Sequence, residues 1–547
     1  MKHSGNAQLD DGVSLSRGGT AHYCAVRMNS TPSPDPIARA PIDRAPIDRK
    51  REKWILAATI IASTMAFSDM TIVNVALPVL QHSLGASFAA VQWVVESYTL
   101  VLSAMILVGG AIGDLFGRRR VFSIGIVIFA LASLGCGLAP DPETLILARG
   151  VQGFGAALMM PGSLAIVSAS FPRERQGDAI GLWSVSTGVS MAVAPAFGGW
   201  LIDTFSWHAA FLINLPLAAA ALALTQWKVP ESRSDHARAL DLIGMALAIL
   251  GLGALTYGLI AVGTHGFADP WASGPILLGA LVLVLFVLAE RRARDPMVPL
   301  RMFKLPNFGG IQAYTFLLWA ALHGTTFFVP FRLMQVQGLK PTEAGMALLP
   351  LVIIASLLSR WFGKLADKLD PRLLLVGGAL LTGSGFLMLA VPDAQTHYLI
   401  GFMPPLILMG LGMGMCQVPV TVVALNAAGP SHVGTSSAIN NMAARTGGLI
   451  AIAVFGLVLS YGYDAALTPA LQAAGLPEAA RHALELQRAK LAGSTVPADL
   501  SLVQQEAAMA AIKSAFITGY RWAMAAAGAM AFVSALVALR FIRRSRT

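Results

Sequence analysis

Charge is scarce in this chain. Asp, Glu, Lys and Arg make up 12% of its 547 residues, against roughly 25% in an ordinary soluble domain, which excludes a fully water-solvated surface. Cysteine is scarcer still. Cys24, Cys136 and Cys416 are far apart, with no CxxC and no histidine at metal-ligand spacing, which excludes a disulfide framework and a zinc site. No G-xxxx-G-K-[ST] occurs, since Gly363-Lys364 is followed by Leu365, so an ATP-binding loop of that type is missing. No apolar run precedes Trp54, so a cleaved signal peptide is not expected. Residues 1 to 53 are polar and proline-bearing, repeat APIDR from Ala40 to Arg49, and read as a disordered cytoplasmic tail with Met28 as an alternative start.

What is abundant is apolar. Hydrophobic residues make up 55% of the chain and the mean hydropathy is +0.65, which defines an integral membrane protein. A spanning helix needs about 20 apolar residues. Runs of that kind lie near 54–76, 88–110, 120–139, 143–167, 179–201, 208–227, 240–263, 273–289, 308–330, 343–362, 372–391, 397–426, 434–460 and 515–540. The spacing therefore predicts fourteen transmembrane helices in an all-α fold.

Positive charge tests that count, because cytoplasmic loops collect Lys and Arg. With the N-terminus inside, alternate loops hold Arg118–Arg120, Arg173 and Arg175, Lys228 to Arg238, Arg291 to Lys304, and Lys364 to Arg372, and the tail adds Arg540 to Arg546. Opposite loops near 80–88, 139–142, 202–206, 264–272 and 392–397 have none. Arg332 and Lys340 fall in a short outer loop against the rule, and the inner loop at His432 lacks a cation. Both termini are expected in the cytoplasm. The net charge of +10 is thus explained by membrane topology, and nucleic acid is not an expected partner.

Two loops echo one another. GGAIGDLFGRRR (Gly109 to Arg120) follows the second run and GKLADKLDPR (Gly363 to Arg372) the tenth. Both read Gly, three residues, Asp, then cations, which suggests two homologous halves. The expected division is a six-helix bundle over 54–227, two inserted spans and a linker over 228–300, and a second six-helix bundle over 301–540. An outer segment at 461–514 is expected to lie as an amphipathic helix on the membrane or to pack as a lid. A basic tail over 541–547 closes the chain.

Three ionisable groups sit inside apolar runs at similar depth. Asp69 precedes the outer end of the first run by about seven residues. Glu96 and Arg149 lie a similar distance into the second and fourth. At about 1.5 Å per residue all three fall roughly 9 to 12 Å below the outer surface. An Asp near a span's centre is unfavourable by about 2.5 to 3.5 kcal/mol, so such acids are candidates for proton handling. The three are expected to form one proton-sharing cluster. Further on, His323, Gln417, Asn440, Asn441 and Arg445 also lie within apolar runs, and Arg445 is expected to pair with backbone carbonyls.

The motifs carry a resemblance. Gly110-xxx-Asp114-xx-Gly117-Arg118-Arg119 resembles the cytoplasmic signature of the major facilitator superfamily, with Leu115 where a cation is usual. SDMTIVNVALP (Ser68 to Pro78), LILARGVQGFGAA (Leu145 to Ala157), APAFGG (Ala194 to Gly199), SWHAAFLINLP (Ser206 to Pro216) and QVQGLKPTEAGMALLP (Gln335 to Pro350) resemble its fourteen-helix drug:proton antiporters. The resemblance implies a multi-pass protein of the cytoplasmic membrane, not an enzyme, with no cofactor and no metal, driven by the proton gradient. It links Arg149 to proton movement, and with the shared depth Asp69, Glu96 and Arg149 are the expected proton-coupling residues. Gly110, Asp114, Gly117, Arg118 and Arg119, with Asp367 in the echo, would form a gating loop, and Pro195, Gly198 and Gly199 an antiporter motif. Its partners would be small lipophilic or cationic drugs, protons and the bilayer, with a periplasmic adaptor left open. Gln92, Trp93, Gln312, Tyr314, Trp319 and Phe327 are candidates for lining the drug cavity, as are Trp183, Phe316 and Phe328. Export of one metabolite, siderophore or fatty acid, or a sensor or assembly role without turnover, stands as an alternative reading.

Overall fold

The computed structural model describes residues 49–233, 240–366, 368–429 and 433–543. The N-terminal tail to residue 48, Arg238, Asp367, His432 and the last four residues lie outside that description. Among the described residues the secondary structure is helical, without strands, as lipid requires where every backbone amide must find a partner within its own segment.

Among the described residues, fourteen helices are long and apolar enough to cross a membrane: α1 Arg49–Ser83, α2 Phe88–Phe116, α3 Arg118–Gly137, α4 Pro142–Ser170, α5 Glu174–Thr204, α6 Trp207–Lys228, α7 Leu242–His265, α8 Pro270–Arg292, α9 Phe308–Val336, α10 Pro341–Ala366, α11 Pro371–Leu389, α12 Tyr398–Ala428, α13 Thr435–Ala473 and α14 Leu502–Phe541. Side-chain caps fix several starts. Ser87 accepts from the Ala90 amide at 3.2 Å, Asp141 from Thr144 at 2.8 Å and Asp370 from Arg372 at 3.0 Å, each satisfying an orphan amide.

Helices α1–α6 pack mainly on one another, and α9–α14 do the same. Glycines bring their backbones close. A Cβ on Gly155 would meet the Phe129 amide of α3 at 2.6 Å, and one on Gly378 the Gly412 carbonyl at 2.6 Å. Between the halves, α7 packs against α2 and α13, while α8 covers α7. The outer face of α8 presents Leu277, Leu278, Leu281, Val284 and Leu285, an apolar surface for lipid.

Two expectations are corrected. Arg332 is not in a loop. Helix α9 runs on through a π-turn at Arg332–Val336, and the guanidinium is buried, donating to Gln337 Oε1 at 2.6 Å and the Pro392 carbonyl at 2.9 Å. These acceptors let the charge sit inside where hydropathy ended the span. The segment expected as one surface helix is instead divided. Helix α13 extends to Ala473 and α14 begins at Leu502, because their Ala-rich ends keep packing beyond the membrane-length run. Between them lie a short helix, Glu478–Glu485, and a tight turn at Arg488–Gly493. Leu476, Ala480, Leu484 and Leu491 are buried, so the segment is a packed cap. Gln81 of α1 donates to the Lys490 carbonyl at 2.9 Å, and Tyr463 of α13 to that of Leu491 at 3.2 Å.

The end of the bundle that carries the α2–α3 loop, Arg118 to Arg120, is called the basic end below. At the opposite end the halves close on each other. Asp203 of α5 accepts from the Thr342 amide of α10 at 2.8 Å, and Gln335 donates to Gln81 at 2.8 Å. The crossing of α5 and α10 depends on glycine: a Cβ on Gly199 would fall within contact distance of the Pro341 carbonyl, and one on Gly345 would do the same against Pro195.

Valine at Gly345 should hold that end apart. With spin labels on Phe205 and Gln337 in a cysteine-free background, the distance distribution should lengthen in Gly345→Val. An unchanged distribution would show that the crossing does not set closure.

Candidate functional site

Asp69 of α1 and Arg149 of α4 meet in the interior of the first half. Arg149 Nη1 lies 2.5 Å from Asp69 Oδ2, with the two side chains 1% and 0% exposed respectively. The other carboxylate oxygen accepts from Gln152 Nε2 at 3.0 Å and from Asn214 Nδ2 of α6 at 3.1 Å. Arg149 also donates to the Val94 carbonyl of α2 at 3.1 Å and to Gln152 Oε1 at 2.8 Å. Ser133 of α3 accepts from Gln152 at 3.3 Å and Asn214 at 3.0 Å. The guanidinium lies 4.3 Å from the Tyr98 ring centroid, within cation–π range. Five helices thus converge on one ion pair, each giving a polar contact that lipid could not supply. Gln152, Asn214 and Ser133 escape a sequence reading that weighs only ionisable groups. The signal was a run of polar residues inside spans, with Gln152 three positions past Arg149 on the same helix face.

Glu96 does not join this cluster, contrary to expectation. Depth was right but angle was not. Val94 and Tyr98 face Arg149, and a residue two positions along a helix points about 200° away. Gln92, one turn before Glu96, donates to the Ile452 carbonyl of α13 at 3.0 Å, and Leu100, one turn after, packs with Leu252 of α7 and Leu449 of α13. Glu96 therefore occupies the seam between α2, α7 and α13. It is fully buried, and among the described residues neither carboxyl oxygen has a hydrogen-bond partner. Thr256 of α7, one turn beyond Leu252, is also buried with its hydroxyl unpartnered.

At the basic end, Asp114 accepts from Arg118 Nε at 2.8 Å. Gly117 has φ +108°, and a Cβ there would meet the Glu231 carboxylate at 2.8 Å. That carboxylate accepts from the Arg119 amide at 3.0 Å and the Arg120 amide at 3.2 Å. Arg119 reaches Gln226 Oε1 at 2.7 Å. The loop is tied to the end of α6 and the residues just after it. Among the described residues no ion pair joins it to α9–α14.

A cavity of about 800 Å³ opens there between the halves. Its walls include Phe67, Gly110, Asp114, Met160, Pro161, Trp183, Asn441 and Arg445. Trp183, one of the residues expected to line a drug cavity, is among them, and six others so expected are elsewhere. Gln92 is in the seam, Trp93 faces Tyr257 at 6.3 Å between ring centroids, and Gln312 accepts from Asn440 at 3.1 Å. Tyr314 is buried, donating to the Leu375 carbonyl at 2.8 Å, Trp319 lies against His323, and Phe327 packs in a cluster with Phe88, Phe328 and Phe331. Arg445 is corrected too. Among the described residues it makes no hydrogen bond to a backbone carbonyl, and its Nη1 lies 3.6 Å from the sulfur of Met70.

The model of the Major Facilitator Superfamily matches residues 59–452, and the chain belongs to that superfamily. It is 35% identical to the multidrug resistance protein Stp of Mycobacterium tuberculosis, over 78% of this chain and 80% of that one. It is 36% identical to the puromycin resistance protein pur8 of Streptomyces alboniger, over 75% and 82%, and 31% identical to the tetracenomycin C resistance and export protein of Streptomyces glaucescens, over 90% and 91%. Among solved structures it is similar to a bacterial homologue of the lysosomal transporter Spinster in its inward-facing, occupied conformation, with a TM-score of 0.63 at 18% identity over 89% of this chain and 96% of that one. The protein is a multi-pass transporter of the cytoplasmic membrane.

Removing one member of a buried ion pair costs about 3 to 5 kcal/mol, whereas removing both is far milder. Asp69→Asn and Arg149→Gln should each lower the thermal midpoint of the purified protein, and the double variant should recover part of the loss. Strict additivity would mean that the pair is not energetically coupled.

Proposed function

We propose that the chain is a proton-coupled antiporter that exports lipophilic drugs by alternating access, with its basic end and both termini in the cytoplasm. The observation that carries this reading is the Asp69–Arg149 pair, sealed in the first half beside a cavity open at one end and closed at the other. An acid in a low-dielectric interior keeps its charge only while a cation or several donors hold it. Protonating Asp69 leaves Arg149 with two neutral acceptors, the Val94 carbonyl and Gln152, so the guanidinium stays solvated while the ion pair is lost. The paired state belongs to the side of higher pH, the cytoplasm, with the cavity ready for cargo. Protonation from the other side would then break the pair and favour the opposite opening. Glu96, buried without partners where α2 meets α13, is a second acid that must take a proton or a counter-charge when the seam moves. One charge crossing 100 mV supplies about 2.3 kcal/mol, enough for modest accumulation.

A narrower reading is favoured by the relatives. Several are named for one antibiotic each, puromycin, methylenomycin A or tetracenomycin C, which suits an exporter of one metabolite on the same scaffold.

Vesicles with an imposed pH gradient separate these readings. Inside-out vesicles of the wild type should take up more than one compound from a panel of lipophilic cations, neutral molecules and anions, and Asp69→Asn should abolish gradient-driven uptake while the protein still elutes as a folded species. Wild-type uptake by Asp69→Asn rejects proton coupling through this residue. Transport of only one compound in a broad panel supports the narrow reading.

A further inference from the structure

The large cavity has two unlike walls. The α1–α6 side is mostly apolar, with Phe67, Ile106, Leu107, Met160, Leu164 and Trp183. On the other side Ser437, Asn441 and Arg445 succeed one another at four-residue intervals along α13, which places them on one face. Their polarity rises with depth from hydroxyl to amide to guanidinium. Arg445 lies ten residues past Thr435, about 15 Å along the helix axis.

Arg445 differs from the other deeply placed cations. Arg149 has a carboxylate, and Arg332 has a side-chain amide and a backbone carbonyl. Arg445 has only the thioether of Met70 at 3.6 Å, a weak acceptor, and its Nε, like that of Arg332, is buried with no partner among the described residues. Among the described residues no carboxylate lies within ion-pair distance of it. The acids that border the cavity stand near its mouth and are otherwise engaged or outlying. Asp114 pairs with Arg118, Asp241 caps the Gly244 amide at 2.7 Å, and Asp295 lies in the α8–α9 connection. Asp69 and Glu96, the acids that would favour a cationic cargo, are not in the cavity wall. A guanidinium out of bulk water without an anion is costly to keep, and a carboxylate placed against it gains a charge-assisted, bidentate contact.

We propose that Arg445 is the anchor of an anion subsite, and that the cargo of this cavity is an amphiphilic organic anion. Its aromatic or aliphatic body lies on the α1–α6 wall, and its carboxylate, enolate or sulfonate reaches Arg445 past Ser437 and Asn441. This inference rests on the reading of the cavity as the cargo site, and it narrows that reading to a charge class.

The test is equilibrium binding to the purified full chain in nanodiscs at pH 7.5 with no gradient, so that a failure of proton coupling does not affect it. The probes are pyrenebutyrate and pyrenebutyramide, which share one apolar body and differ in charge. The wild type should bind the carboxylate about tenfold more tightly than the amide. Arg445→Gln should remove that preference by weakening the carboxylate more than the amide, and Arg445→Lys should restore most of it. Because Arg445→Gln could fail to fold, Asn441→Asp provides a second arm: a carboxylate one turn from Arg445 would neutralise it in place and weaken pyrenebutyrate alone. Equal affinity of the wild type for the two probes, or a carboxylate preference that survives both Arg445→Gln and Asn441→Asp, would overturn the assignment.

Discussion

A charge in hydrocarbon has to be answered by something, and the way each buried charge is answered organises this protein. Asp69 and Arg149 answer each other, and Gln152, Asn214 and Ser133 complete the shell. Arg332 is answered by neutral dipoles at the end of α9. Glu96 and Arg445 are left without a counter-charge, and both stand where the halves face each other, one in a closed seam and one in an open cavity. Unanswered charge is tolerated in a membrane protein where something arrives and leaves. In this conformation each answered charge lies within one half of the protein, and the unanswered ones lie on the surfaces where the halves meet.

Small residues do the complementary work. Gly199 and Gly345 let α5 and α10 cross almost backbone to backbone, so the closed end is a contact of main chains that side-chain repacking cannot replace. The opposite end has no such crossing. Its basic loop is fastened to the end of α6 through Glu231 and Gln226, so the cations of the expected gating loop are held within one half in this conformation.

How much of this was legible in the sequence follows from what each signal measures. Hydropathy reports length in lipid, and the fourteen spans follow from it. It ended α9 too soon at Arg332 because it cannot see acceptors brought by distant residues. Depth along a helix is also legible, which brought Asp69 and Arg149 to one level. Angle around a helix is not legible when the helix is apolar on every side, since no polar face marks a direction. That loss misplaced Glu96 and six of the expected cavity residues together. Asn214 and Gln152 were present as intramembrane amides, but their role depends on five helices meeting and no local pattern encodes that. Arg445 stood out as a cation within an apolar run, and only its missing partners gave it a meaning.

The α7–α8 hairpin has a consequence for the surrounding lipid. Helix α7 fills the seam between α2 and α13, while α8 turns its leucines and valines outward. Acyl chains are thereby kept out of the joint between α2 and α13, as a gasket keeps grease out of a seam. On the α5–α10 flank no inserted pair intervenes among the described residues, so lipid meets the crossing of the two halves directly there.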